Sequence, residues 1–341
     1  MGKLVTVFLP WVVFPALAAV AFHYIILQTE YNGLGKKIQP YCPEQPLGSY
    51  TPYRLTYSGI DGVDKFLCTL VTVFHAALDD TTGRNFLQYF LSQGGPVMAM
   101  ISLEGCRRNR HFVFAFPVIY GILMQTMSFG ATFSFYWAPF IASGAATVVG
   151  SKDTVVSKAD AQAIVFGQII GFGIPTAGMI VMIHPHVTAL WQFVPVIASA
   201  VASVHLLFRS RAKHSQSGWS DIRNMYTIMF ILGAATHLFM VVPKVQSGGI
   251  DALKAFFVPS NSTSSIDRLV LNLLQWDIIF GMGSSLLATL WFAQNAQQFR
   301  AIQMWIIAAL PILGPGATFA AIALWRESKL HPTEGPKTKV K

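Results

Sequence analysis

Residues 112–151 and 161–208 contain no Asp, Glu, Lys or Arg, and residues 269–299 contain only one, Asp277. Each run is longer than the roughly 20 residues that a helix, rising about 1.5 Å per residue, needs to cross the hydrocarbon of a bilayer. In lipid a segment must satisfy its own backbone N–H and C=O groups, and a single segment does so as a helix. With 53% hydrophobic and 11% charged residues in a chain of 341, there is too little polar surface for a soluble protein of this size. The expected fold is all-α: a polytopic transmembrane helical bundle of eight or nine membrane helices, forming one integral membrane domain over residues 1–341.

The first apolar run, residues 4–27, is long for a signal peptide and lacks a small-residue cleavage site, so it reads as a retained helix. Residues 28–57 are rich in Pro, Gly and Tyr and read as an irregular loop capping the bundle. Residues 61–80 read as a short helix with a polar edge, lying partly in the interface. Spans are expected at 86–103, within 112–151, on either side of a turn at His184-Pro185-His186, and at 224–242, 269–291 and 301–325, with a polar basic tail at 326–341. The forty residues of 112–151 exceed one untilted span, so they hold either a long kinked helix or a span plus a re-entrant piece.

The net charge of +9 collects in short clusters beside apolar runs: Arg107, Arg108 and Arg110; Arg209, Arg211 and Lys213; Lys329, Lys337, Lys339 and Lys341. That pattern suits loops facing a membrane surface, and no base-reading or stacking module argues for nucleic acid. If the first two clusters are both cytosolic, residues 112–151 must cross an even number of times; if they cross once, the two clusters lie on opposite faces and the positive-inside rule is strained. With the Arg209 cluster cytosolic, the Asn261-Ser262-Thr263 sequon faces the lumen, and the endoplasmic reticulum is the expected membrane. Cys42, Cys68 and Cys106 lack metal-ligand spacing; Cys68 and Cys106 read as small core residues.

Asp277 is the leading site residue. An ionised acid in hydrocarbon costs a few kcal/mol or more, so such a residue faces a bundle interior or a polar cavity. It acts either as an acid or as an interhelical hydrogen-bonding group. His75 and Asp79 stand at i,i+4 on one face with Thr72 and Cys68, an arrangement for proton transfer or for mutual satisfaction of two buried polar groups. Asp80 reads as the cap of the next helix. Glu104 reads either as a surface partner of Arg107 or Arg108 or as a second acid or base at a cavity mouth, and His237 reads as a hydrogen-bonded packing residue. Of the many aromatics, Trp276, Tyr120, Phe129 and Trp137 are the candidates to line a substrate cavity and stabilise a cation with their ring faces.

Several chemistries lack their motifs. The histidine boxes of diiron enzymes, a GxxxxGK[ST] loop and a GxSxG elbow are all missing. Asp79-Asp80-Thr81-Thr82-Gly83 does not match the DDxxD that binds diphosphate through magnesium, and no DxDD is present. No metal and no cofactor are expected.

The segments YSGIDGVDKFLCTLVTVFHAALDD, RNFLQYFLSQGGPVMAMISLEGCRR and LLQWDIIFG, in this order, resemble the fungal membrane-bound terpene cyclases, in particular the group associated with ascofuranone, ascochlorin and macrophorin biosynthesis. The resemblance implies cyclisation of a farnesyl-type chain on a meroterpenoid, started by protonation of an epoxide or alkene, without metal or redox cofactor. The implied partners are a lipophilic prenylated small molecule and membrane lipid. Asp277 would then be the proton donor, with Glu104 and the His75/Asp79 pair competing for assisting acid or terminal base. The alternative is a proton-coupled transporter of a hydrophobic metabolite, although no internal repeat of the inverted-repeat kind is visible. A receptor or scaffold is a third class and needs no buried acid.

Overall fold

The computed structural model describes residues 7–44, 51–108, 110–147, 150–151, 153–260 and 265–331. The named elements among them are all helical: α1 (Leu9–Phe22), α2 (Gln28–Tyr31), α3 (Leu34–Ile38), α4 (Asp61–Asp79), α5 (Thr81–Cys106), α6 (Pro117–Thr126), α7 (Phe129–Ala142), α8 (Lys158–Phe166), α9 (Ile174–Met182), α10 (Pro185–Trp191), α11 (Val194–Phe208), α12 (Trp219–Phe257), α13 (Ile266–Ala288) and α14 (Ala296–Leu330). Short π turns continue α1 into α2 and α8 into α9.

Among the described residues, five stretches are long and apolar enough to cross a membrane: Leu9–Tyr31, Lys158–Met182, Trp219–Phe257, Ile266–Phe292 and Ala296–Leu330. A sixth is reached if α10 and α11, bent by 62° at their junction, count as one span. The expected eight or nine are not reached, for two physical reasons. Central α5 carries Gln88, Ser92, Gln93, Ser102 and Glu104 along its length, and the uncharged run at 112–151 is divided between the short helices α6 and α7.

α6 and α7 form a hairpin that enters the bundle and leaves it at the same end. At its start, Pro117 and the Phe114 carbonyl sit within van der Waals distance of Gly105 near the end of α5. At its close, the Ala145 carbonyl accepts a 2.7 Å hydrogen bond from Arg326, which also binds Glu104. Its tip lies midway along the neighbouring helices, where Phe129 meets Gly94 of α5 and Gly130 meets Asp277 of α13. At about 15 and 21 Å, the two helices are each shorter than the roughly 30 Å of a hydrocarbon core. Arg110 and Arg211 line one cavity, so the first two basic clusters share an end, as an even number of passes requires.

That end is locked by buried charge. Glu104 accepts from Arg107 at 2.8 Å and from Arg326 at 2.7 Å, and Arg107 also donates to Glu327. The Arg326 guanidinium lies over Phe292 and Phe140, 5.1 and 5.6 Å from the ring centroids. All four charged residues are at most 4% exposed, which makes each carboxylate dependent on its guanidinium partners. Residues 326–330 are therefore the last turn of α14, with Arg326, Glu327 and Leu330 buried and Ser328 and Lys329 exposed; residues 332–341 lie outside the described residues.

The opposite end carries the cap. Residues 28–57 are not wholly irregular: α2, α3 and the 3-10 turn Gln39–Tyr41 occupy its first part. Cys42 and Cys68 form a disulfide between the cap and α4, which corrects the reading of Cys68 as a simple core residue; only Cys106 is free. The Ser58 hydroxyl and N–H, at 2.7 and 2.6 Å, with the Gly59 N–H, hold the Asp64 carboxyl below the usual carboxylate range and tie the cap to the first turn of α4. Asp80 caps α5 as expected, its carboxylate accepting from the Gly83 N–H at 2.7 Å, and the His184-Pro185-His186 turn separates α9 from α10. The Asn261-Ser262-Thr263 sequon lies outside the described residues.

Glycine sets the closest helix contacts. The two straight segments of α14 meet at Gly314, which has a φ of 80°, between Pro311 and Pro315, neither of which can donate a backbone hydrogen bond. Gln93 of α5 satisfies the break: its Oε1 accepts from the Gly316 N–H at 2.8 Å and its Nε2 donates to the Gly233 carbonyl of α12 at 3.1 Å. His237 is a packing residue there, bonded to the Tyr89 hydroxyl at 3.0 Å and the Pro311 carbonyl at 3.2 Å.

Candidate active site

Asp277 lies in the middle of α13 and is 7% exposed. Its carboxylate meets the first turn of α7: the Gly130 N–H donates to Oδ1, and the Phe129 N–H and Ser128 hydroxyl also approach it. Ser128 is the cap of α7, its Oγ accepting from the Ala131 N–H at 2.9 Å, so one hydroxyl closes the helix and faces the acid. Unsatisfied N–H groups and the partial positive charge of a helix N-terminus make this an anion-binding position. Two glycines permit the approach. A Cβ on Gly130 would stand 2.9 Å from the Asp277 carbonyl oxygen and 3.0 Å from its Oδ1, and one on Gly281, a turn after Asp277, would overlap the Phe129 ring at 2.0 Å.

Asp277 and Ser128 form part of the wall of a cavity of about 210 Å³, lined by apolar side chains of the π turn that follows α1, of α4, α5 and α13, and by the tip of the hairpin. Its aromatic faces are Phe74, Phe90, Phe129, Phe172 and Trp191. Trp191 is fixed by a 2.9 Å hydrogen bond from its Nε1 to Thr176 Oγ1 and packs against Phe74 with ring centroids 4.9 Å apart. Gln125 also lines the cavity, and its Nε2 is buried with no hydrogen-bond partner. One carboxyl, one free amide donor and a ring of aromatic faces can deliver a proton to an oily molecule and hold a positive charge while it moves through that molecule.

Of the four aromatics singled out from sequence, Phe129 is in this cavity. Trp276 points the other way from its neighbour Asp277, onto Tyr24 at 4.4 Å and Phe280 at 5.6 Å between ring centroids. Tyr120 packs edge-on against Tyr136 at 4.7 Å. Trp137 is fully buried and donates to Ser285 Oγ at 3.2 Å. Phe74, Phe90, Phe172 and Trp191 were missed, since they come from four helices distant in sequence; Trp191, just after the His-Pro-His turn, had the nearest thing to a signal.

The other candidate acids and bases stand apart from Asp277. Glu104 is in the buried ion-pair cluster at the hairpin's entry. His75 and Asp79 share a face of α4 turned toward the cap: Tyr53 donates to Asp79 at 3.3 Å, its ring lies 4.9 Å from the His75 ring, and His75 Nε2 bonds Thr188 Oγ1 at 3.2 Å. The cavity takes the neighbouring α4 face, Leu70, Val73 and Phe74.

Residues 10–330 match the CtvD domain. The chain is 26% identical to terpene cyclase ascI of Acremonium egyptiacum over 272 residues, 72% of this chain and 70% of that protein. It is 25% identical to terpene cyclase ctvD of Aspergillus terreus over 316 residues, 83% of this chain and 88% of that one. No solved structure matches it. With the match running from the start of α1 to the last turn of α14, the chain belongs to the CtvD domain family.

Proposed function

We propose that this protein is an integral membrane terpene cyclase that protonates an epoxide or alkene of a farnesyl-type meroterpenoid at Asp277 and guides the resulting carbocation through ring closure. The observation that carries this reading is the Asp277 carboxyl in the wall of an aromatic-lined apolar cavity, backed by the N-terminus of α7. The terpene cyclase relatives support the same reaction class. Proton transfer moves the carboxyl hydrogen to the substrate, and the carboxylate left behind is received by donors already aimed at it, the Gly130 N–H and the Ser128 hydroxyl, which stabilise charge as it develops. The cation, shielded from water, migrates against Phe74, Phe90, Phe129, Phe172 and Trp191. Loss of a proton from the final cation leaves an isomer of the substrate, and that proton, passed back to the Asp277 carboxylate, restores the acid. Gln125 is the donor placed to orient an epoxide oxygen.

The membrane setting is part of the proposal. The outer surface exposes Val181, Leu207, Phe208 and Phe239, residues that lipid would cover. The disulfide belongs in an oxidising compartment, and the arginine clusters at the other end suit the cytosol; together they orient the cap toward the lumen of the endoplasmic reticulum. Microsomes containing the protein, supplied with an epoxyfarnesyl phenol, are expected to yield a cyclic product of equal mass. Uptake of the substrate into vesicles with no isomer formed would replace the cyclase by a transporter.

A further inference from the structure

A second cavity, of about 270 Å³, lies between α5, α6, α8 and α11. It shares Met98, Met124 and Phe172 with the Asp277 cavity, so the two adjoin across a waist made of two flexible thioethers and one ring. Along α5 the pair extends from Phe90 to Cys106, about 24 Å at the helical rise. Their chemistry differs. The inner cavity is mostly apolar, its polar groups being Asp277, Ser128, Gln125, Thr29 and Thr126, whereas the outer one presents Ser102, Gln168, Ser199, Ser203 and, at its mouth, Arg110 and Arg211.

Among the described residues that line this cavity are two arginines and no acid. Arg211 donates to Asp160 at 2.7 Å and its side chain is 63% exposed. Arg110 gives one N–H to the Arg107 carbonyl, and its Nε is buried with no partner. Asp160 is therefore held by Arg211, and Arg110 keeps an unused donor. Guanidinium groups recognise planar oxyanions through paired N–H donors.

We propose that the outer cavity is the head-group site of the substrate: it takes an acidic aromatic head, a carboxylate or an acidified phenol, at Arg110 and Arg211, while the isoprenoid chain passes the Met98, Met124 and Phe172 waist to bring its far end to Asp277. This rests on the cyclase reading above and adds the class of head group and the direction in which the substrate lies. It also assigns two roles that the sequence left merged, since the residues that choose the substrate stand at the opposite end of the cavity pair from the residue that starts the reaction.

The test is equilibrium binding of a radiolabelled farnesylated hydroxybenzoic acid and of its methyl ester to the full chain in nanodiscs, in an Asp277→Asn background so that turnover is off. The acid is expected to bind at least about tenfold more tightly than the ester, as a charge-assisted hydrogen bond would give. Adding Arg110→Gln or Arg211→Gln is expected to erase that preference while the ester still binds, and Arg211→Lys, which keeps the charge, to retain part of it. An unchanged preference in both glutamine variants overturns the proposal, as does equal displacement of acid and ester by phosphatidic acid, which would assign the arginines to lipid. If the preference follows the arginines but the unmodified protein makes no cyclic isomer, the cyclase reading fails and the head-group site stands. If isomer forms but the preference ignores the arginines, the head-group site alone fails.

Discussion

At Asp277, apolar walls that make an anion costly meet the N–H groups of α7 that stabilise one. The side chain is useful because both act at once, and the contact depends on there being no Cβ at Gly130. Gly130→Ala would force a methyl group against the backbone and carboxylate of Asp277, shifting either the acid or the tip of the hairpin. Since a displacement of about 1 Å at a reacting group costs on the order of 100-fold in rate, this variant is expected to lose about that much in kcat while still inserting as a folded protein. Steady-state kinetics beside a thermal unfolding curve would check it; wild-type kcat would show that the contact does not position the acid. The lone acid at 277 was legible in the sequence, because one carboxyl in thirty-one residues stands out. Its donors were not, since Ser128 and Gly130 are ordinary small residues 147 or more positions away in the chain, and only folding brings them together.

Among the elements, the α6–α7 hairpin was the least legible. Forty uncharged residues carry no charge to mark depth or direction, so a span and a re-entrant pair look alike in the sequence. Asp80 and the His-Pro-His turn were legible because capping and proline chemistry act within a few residues. The disulfide was not, because Cys42 sits in a polar loop, Cys68 in an apolar helix, and their spacing matches no pattern. It closes a loop of 26 residues, for which chain entropy gives about 3.5 kcal/mol. Cys42→Ser is expected to lower stability by about that amount and to loosen the cap over α4, read as a lower unfolding temperature in detergent and faster proteolysis within residues 28–57. A variant as stable and as protected as the parent would remove the disulfide from the list of restraints on the cap.

For the whole molecule, the two ends of the bundle differ in what holds them: a covalent clasp at the cap and buried charge at the hairpin's entry. The sequence showed Glu104 near Arg107 but not Arg326 and Glu327, which follow the last apolar run and so look like the first residues of a surface tail. Replacing Arg326 with Met would leave Glu104 with one partner and uncover part of Glu327, and losing one member of a buried pair typically costs about 3–5 kcal/mol. A double variant that also replaces Glu104 with Gln is expected to recover part of this loss, measured as unfolding temperature in the same detergent. Additive losses would show that the two residues do not act as a pair.

The most direct measurement is turnover by Asp277→Asn, whose amide keeps the size of the side chain and can still accept a hydrogen bond but has no acidic proton to give. With membrane insertion and substrate binding shown to be intact, conversion of an epoxyfarnesyl phenol to its cyclic isomer is expected to fall by about 100- to 10,000-fold, the range supplied by general acid catalysis. Cyclisation at the parent rate in that variant would remove Asp277 from the mechanism and contradict the assignment of this cavity as the active site.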